Sequence, residues 1–248
     1  MEWSDDAIVL SLRAHGESSG ILEALTRAHG RHLGLVRGGS SSKGRAVLQP
    51  GNRVKLTWRA RLSEHLGNFT VELAKSRASD MFEERAALAG LNALAAIAGA
   101  VLPEREPHEA AYEGADTLLE MIAAHEFPDW APLFVHWEIG LLNELGFGLD
   151  LARCAATGTA DDLIYVSPRS GRAVSREAGE PYRGRLLDLP AFLLGRQAGD
   201  ASAGDLLAGL QLTAHFLEQW VLTPHNRIMP EARVRLTDLA ARAMSESG

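Results

Sequence analysis

The ten residues Arg53–Leu62, RVKLTWRARL, alternate between two kinds of side chain without a break. Arg53, Lys55, Thr57, Arg59 and Arg61 take the odd positions; Val54, Leu56, Trp58, Ala60 and Leu62 take the even ones. Successive side chains of a β-strand point to opposite faces, so this segment packs one face on a core and presents an almost wholly basic face on the other. Three further runs read as strands: AIVLSLRAH, RHLGLVRGG and NFTVELAKS. Glycine-rich breaks separate them (HGESSG, AHGRH, GGSSSKG, QPGN, EHLGN). The run ILEALTRA, starting at Ile21, fits a strand or a helix equally well. About five short strands in the first 75 or so residues suit a small OB-type barrel better than a sandwich, which needs more strands.

After Ser79 the texture changes. SDMFEERAALAGLNALAAIAGAVL is rich in Ala and Leu at helical spacing, with Ser79 or Asp80 as its capping candidate and Glu83 and Glu84 in its first turn. Pro103 ends it. Further helices are expected at 107–125, 130–146, 188–197, 202–222 and 231–245, with a turn-rich segment, 150–183, set between them. The expected fold is therefore α+β: an N-terminal OB-fold barrel (1–79), then an α-helical domain (80–248) carrying an inserted knuckle.

With 46% hydrophobic and 23% charged residues, the chain can bury a sizeable core. A single cysteine excludes an intramolecular disulfide and fits a reducing compartment. MEWSDDAIVL is acidic where a signal peptide is basic, and the longest apolar run, 88–102, is too short to cross a bilayer. These features point to a soluble cytosolic protein. The net charge of −7 is unevenly spread. Residues 1–80 hold 12 Lys/Arg against 8 Asp/Glu, a net of +4, and residues 81–248 hold 13 against 24, a net of −11. Such asymmetry suggests one part facing a polyanion and another facing something else.

The basic face of Arg53–Leu62 spaces its cations by about 6.6–7 Å, near the repeat of successive phosphates along a nucleic-acid strand. The loop VRGGSSSKGR adds Arg37, Lys43 and Arg45. It is no P-loop, because Gly44 and Arg45 follow Lys43 and no Ser or Thr is placed for Mg²⁺. Trp58 points inward on this reading, leaving Phe69 and Trp3 as stacking candidates, so backbone-led electrostatic binding is favoured over base stacking. GESSG, Gly16–Gly20, matches the pattern of a nucleophile elbow with Ser18 as nucleophile, but too little chain precedes it for the upstream half of a hydrolase sheet. The nine histidines are scattered, and His125 and His136 read as structural.

The order of parts resembles the bacterial recombination mediators of the RecO family. The likeness is carried by AIVLSLRAHGESSGILEALTRAHGRHLGLVRGG, by LQPGNRVKL, and by LLNELGFGLDLARCAATG with YVSPRSGRAVSREAG. It implies a protein that binds single- and double-stranded DNA and anneals complementary strands, and that is not an enzyme. It also implies binding to RecR and to the single-stranded-DNA-binding protein, and so help for RecA in loading on coated gaps. No nucleotide cofactor or membrane is implied, and the place of action is cytoplasmic and nucleoid-associated. The residues expected on the phosphate backbone are Arg37, Lys43, Arg45, Arg53, Lys55, Arg59 and Arg61. An OB-fold module for RNA or tRNA is the alternative, with the Ser18 hydrolase a distant third.

Many members of that family hold zinc with four cysteines in the middle motif. Those positions fall here on Cys154, Thr157, Ser175 and Ala178, at the spacing of a four-cysteine ribbon. One thiolate, two hydroxyls and a methyl cannot build a tetrahedral zinc site, so no zinc is expected. Leu163, Ile164, Tyr165, Val166, Val174 and Tyr182 are the candidates to replace the lost folding energy, with Cys154 as a small buried apolar residue.

Overall fold

Strand β1 (Glu2–His15) is long enough to serve two partners. Its first half, Glu2–Ile8, pairs antiparallel with β4 (Arg53–Arg59), and its second half, from Ala7 to His15, pairs with β2 (Ser19–Thr26). An irregularity between Val9 and Ser11 lets the strand bend from one partner to the other. In this computed structural model, which describes residues 1–195 and 201–246, β3 (Gly30–Val36) continues the sheet from β2. β5 (Asn68–Lys75) pairs with β4 and meets β3 in parallel at Leu35 and Asn68, closing a barrel of order β1-β2-β3-β5-β4. A short helix, α1 (Ser42–Val47), lies between β3 and β4.

The alternation of β4 is realised as expected. Val54, Leu56 and Trp58 enter a core shared with Val9, Leu22, Ala24, Val36, Leu48 and Phe69. The strand ends at Arg59, however, so Arg61 and Leu62 stand in the following loop and Leu62 is exposed rather than packed. ILEALTRA is strand, because its pairing with β1 on one side and β3 on the other outweighs any local helical preference. GESSG is the turn of the β1–β2 hairpin, with His15 opposite Ser19 and Gly16 at φ 65°, a conformation glycine adopts without strain. The strand–turn–helix setting of a nucleophile elbow does not exist there.

Two compact units are present, Met1–Ala124 and His125–Gly248. The first holds the barrel together with α2 (Ala78–Met81), α3 (Arg85–Val101) and α4 (Glu109–Ala124). The cap of α3 is Glu84, whose carboxylate accepts from the backbone N–H groups of Ala86 and Ala87. Ser79 instead lies within α2, and the side chain of Asp80 lies outside the described residues. Helix α4 turns acids toward cations of the first eighty residues. Arg27 pairs with Glu109 and Glu113, Arg53 with Asp116, Lys75 with Glu120, and buried Arg77 with both Asp116 and Glu120. Counted by unit, Met1–Ala124 carries 14 Lys/Arg against 16 Asp/Glu, a net of −2, and the second unit 11 against 16, a net of −5. The strong asymmetry of the linear sequence is thus largely neutralised inside the first unit.

The second unit is built on α5 (Phe127–Glu144), α7 (Ala203–Phe216) and α8 (Glu231–Glu246). Between α5 and α7 comes a small sheet of order β7-β6-β8: β6 (Leu163–Val166), β7 (Ala173–Ser175) and β8 (Leu187–Asp188), with α6 (Arg176–Gly179) and a 3₁₀ turn, Glu180–Arg185, between β7 and β8. The helix expected at 188–197 is not formed over its described part. Pro190 leads instead into a 3₁₀ turn, Ala191–Leu194, closed by Gly195 at φ 75°, and residues 196 and 197 lie outside the described residues. Helix α7 begins with a full capping box between Ser202 and Asp205 and runs on as a π-helical turn, Leu217–Leu222. Glu138 of α5 and Arg233 of α8, both fully buried, form an ion pair at 2.6 Å. Among the described residues, no helix is long and apolar enough to cross a membrane.

Candidate nucleic-acid interface

The seven expected phosphate contacts do not form one stripe. Of the β4 cations, Arg53 is half-buried and ion-paired to Asp6 at 3.4 Å and Asp116 at 3.3 Å, so it ties the sheet to α4. Lys55 is exposed but sits opposite Asp6 on β1 and Glu72 on β5. Arg59 is exposed and paired at 2.7 Å with Glu2, the residue opposite it on β1, whose carboxyl it holds below the ordinary value. The neighbouring strands therefore interleave acids among the cations, which sequence alternation within one strand could not reveal. Arg61 is exposed in the loop after β4.

The structure does bring three of the seven together. Arg37, Lys43 and Arg59 stand around an open groove of about 740 Å³ between the β3–α1 connection and the β4–β5 ribbon. Val36, Val47, Leu48, Phe69 and Val71 supply its apolar lining, and Ser41, Asn68 and Thr70 its hydroxyl and amide groups. Arg37 and Lys43 are exposed and, among the described residues, have no carboxylate partner. Arg59 has only its surface pair with Glu2, of a kind that contributes little net and that a phosphate can displace. Arg45 lies off the groove, its Nε donating to Ser40 O at 3.0 Å.

The basic loop is more ordered than its Gly/Ser composition implies. Ser41 caps α1, accepting from Gly44 N at 3.0 Å and donating to Gly38 O at 2.6 Å. The helix that starts here, α1, has only six residues and with Gly44 and Arg45 after Lys43 forms no P-loop. A side chain at Gly44 would meet the carbonyls of Gly38 and Gly39, so glycine there lets the loop fold tightly beneath Arg37 and Lys43.

The stacking candidates are both occupied. Phe69 is in the core, its ring against the backbone of Gly34, where a Cβ would meet it at 2.3 Å. Trp3 is half-buried, stacked on His29 at 4.0 Å and on inward-facing Trp58 at 5.7 Å. Burial among Trp3, Trp58 and Phe69 pushes His32 below the ordinary histidine value, so this end of the core holds a neutral imidazole.

The knuckle keeps the outline of a ribbon. Cys154 is 1% exposed, and its sulfur accepts from Ser175 N at 3.3 Å and Ser175 Oγ at 3.4 Å. Burial would raise this thiol, but hydrogen bonds from Ser175 and Thr157 outweigh it and bring the pKa down to about 6. The sulfur is thus a hydrogen-bond acceptor rather than a purely apolar filler. With the half-buried Ala178 in the fourth position, the four residues do not fit zinc. Among the described residues, no three His, Cys, Asp or Glu side chains are grouped to hold a metal ion. Buried Leu163, Tyr165, Val166, Ala173 and Val174 stabilise the segment, with Tyr165 opposite Val174 and Gly179 packed on the Tyr165 ring. Tyr182 takes no part, being 57% exposed.

Comparison with known proteins agrees along the whole chain. Residues 1–77 match the family model described as Recombination protein O N terminal, and residues 83–227 match Recombination protein O C terminal. Proteins named DNA repair protein RecO are similar throughout. That of Rhodospirillum centenum is 51% identical over 250 residues, covering 100% of this chain and 98% of its own. That of Phenylobacterium zucineum is 52% identical over 244 residues, 98% and 99% of the two chains. That of Caulobacter vibrioides is 51% identical over 243 residues, with the same shares.

Proposed function

The chain belongs to the RecO family of DNA repair proteins, and on that premise we propose that it is a recombination mediator whose barrel grips the phosphate backbone of DNA. The family is one of repair proteins rather than of enzymes. In this reading the protein binds single- and double-stranded DNA and anneals complementary strands. With RecR it helps RecA load on gaps coated with the single-stranded-DNA-binding protein, in the cytoplasm and on the nucleoid.

The observation that carries the proposal is the convergence of Arg37, Lys43 and Arg59 on one groove. Each cation that settles on a phosphate releases condensed counterions, a gain independent of sequence. A strand held this way has part of its charge neutralised while most of its bases stay unpaired, which is the state in which a complementary strand can approach. Lys55 and Arg61, both exposed, extend the same contact weakly, with Arg45 at its margin and Arg53 acting mainly through the structure. The barrel (1–79) would carry the nucleic acid, and residues 80–248 mainly protein contacts.

A salt titration of binding to single-stranded DNA and to RNA of the same sequence tests this. Three to five phosphate contacts predict a slope of log K against log salt of about −2 to −3.5. DNA is expected to bind at least as well as RNA, since no residue of the site is committed to reading a 2′-OH. A slope near zero, or a clear preference for RNA, contradicts the proposal.

A further inference from the structure

We propose that the groove bounded by Arg37, Lys43 and Arg59 is a subsite for unpaired bases, so that the barrel selects single strands by taking a base out of water as well as by neutralising phosphates. The inference rests on the DNA-binding reading above and adds a specificity element to it.

OB-type barrels usually bind nucleic acid on the outer face of strands 2 and 3. Here part of that face is covered. Arg31 on β3 donates to Leu102 O at 2.8 Å and pairs with Glu23 on β2 at 2.6 Å, while Glu104 forms a β-bridge with Arg31. A Cβ on Gly30 would overlap the Glu106 carbonyl, and one on Gly99 of α3 would lie 3.4 Å from Glu23. The start of β3 and the middle of β2 are therefore closed off by α3 and the chain that follows it.

The groove lies elsewhere on the barrel and differs in chemistry from a purely phosphate-binding surface. A surface that only tracks phosphates needs cations and water, whereas this one has the half-buried Val47 and Val71 beneath its basic rim, backed by the core residues Val36, Leu48 and Phe69. Its volume of about 740 Å³ lies in the range of about 300–1,000 Å³ in which pockets bury most of a small ring system. The faces of a nucleobase are apolar and its edges polar, matching the floor and the Asn68 and Thr70 side chains beside it. Its own phosphates would then lie at the rim. A base inside a duplex must give up pairing and stacking before it can enter, whereas an unpaired base gives up far less. The occupant that fits both rim and floor is thus a single-stranded nucleotide. Because Phe69 is fixed against Gly34 in the core, the affinity comes from removing apolar surface from water rather than from face-to-face stacking.

The test compares oligo-dT with an abasic oligomer of equal length, which keeps every phosphate and loses every base. Equal salt slopes, with oligo-dT bound about tenfold tighter or more, are expected from burying one base in the groove. Thr70→Glu, at an exposed groove-lining position, sets a solvated carboxylate that a buried base would have to desolvate, and should bring oligo-dT down toward the abasic level in the same variant. Equal affinities for the two oligomers in the unaltered protein, at a normal slope, overturn the subsite and leave the phosphate contacts standing. A tenfold preference that survives Thr70→Glu overturns its placement in the groove. Salt-insensitive binding of both oligomers overturns the DNA-binding reading itself, and this inference with it.

Discussion

Replacing Arg37, Lys43 and Arg59 together by Gln is expected to flatten the salt dependence of single-strand binding by about two units of slope, three phosphate contacts at about 0.7 each. At 50 mM salt the affinity should fall on the order of a hundredfold, since the electrostatic share grows as salt is withdrawn. The fold should survive. Arg37 and Lys43 are exposed without ion-pair partners among the described residues, and Arg59 loses only its surface contact with Glu2. Arg53→Gln offers the contrast. It removes ion pairs to Asp6 and Asp116, so its main effect should be on the stability of the first unit, with little change of slope. Neutralising Arg53, Lys55, Arg59 and Arg61 together should also lower the slope, chiefly through Arg59. A folded variant lacking Arg37, Lys43 and Arg59 that keeps the full slope would place the phosphate contacts elsewhere.

Glu138→Ala is expected to be the most destabilising single change in the second unit. Arg233 is completely buried, with Nε and Nη2 donating to Glu138 at 2.6 and 2.8 Å, Nη2 also to Leu210 O at 2.8 Å, and Nη1 to Thr237 at 2.6 Å. Thr213 donates its hydroxyl to the same carboxylate, and Phe134 lies beneath the guanidinium. Removing Glu138 strands a buried cation, and breaking such a pair costs about 3–5 kcal/mol. Urea unfolding followed by far-UV circular dichroism should show the loss as a lower midpoint for the affected transition. Changing both partners to apolar residues, Glu138→Leu with Arg233→Met, should recover most of it, because no charge is left without a partner. A Glu138→Ala protein within about 1 kcal/mol of the unaltered one would mean that water reaches Arg233.

What the sequence disclosed and what it hid divide along physical lines. Period-two alternation and glycine breaks are local signals, and they locate β1 from Ala7 onward, β3, β4 and β5, and the break at Gly16–Gly20 that the structure makes a hairpin turn. The spacing of Cys154, Thr157, Ser175 and Ala178 is also local, and it marked the knuckle before any contact was known. The helical cap was misplaced because Glu84 caps α3 with its own carboxylate, a role more often taken by Ser or Asp. Tyr182 is large enough to read as a packing residue, yet the 3₁₀ turn Glu180–Arg185, which holds both Pro181 and Tyr182, leaves it outside.

The larger divergence was in charge. Arg27, Arg53, Lys75 and Arg77 find their partners 39 to 86 residues away on α4, a pairing no linear count can show. The groove was hidden for the same reason. Its floor comes from the end of β3, from α1 and from β5, and only closure of the barrel at Leu35 and Asn68 brings them together. Arg37, Lys43 and Arg59 were legible as cations; their convergence was not.

The measurement that bears most directly on the mediator reading is annealing of complementary strands coated with the single-stranded-DNA-binding protein, followed by fluorescence quenching between end labels. The unaltered protein is expected to speed annealing strongly at low salt and progressively less as salt rises, and the Arg37, Lys43 and Arg59 variant to speed it little at any salt. Annealing no faster than in the protein's absence, or equally fast with the three rim cations removed, would contradict the account.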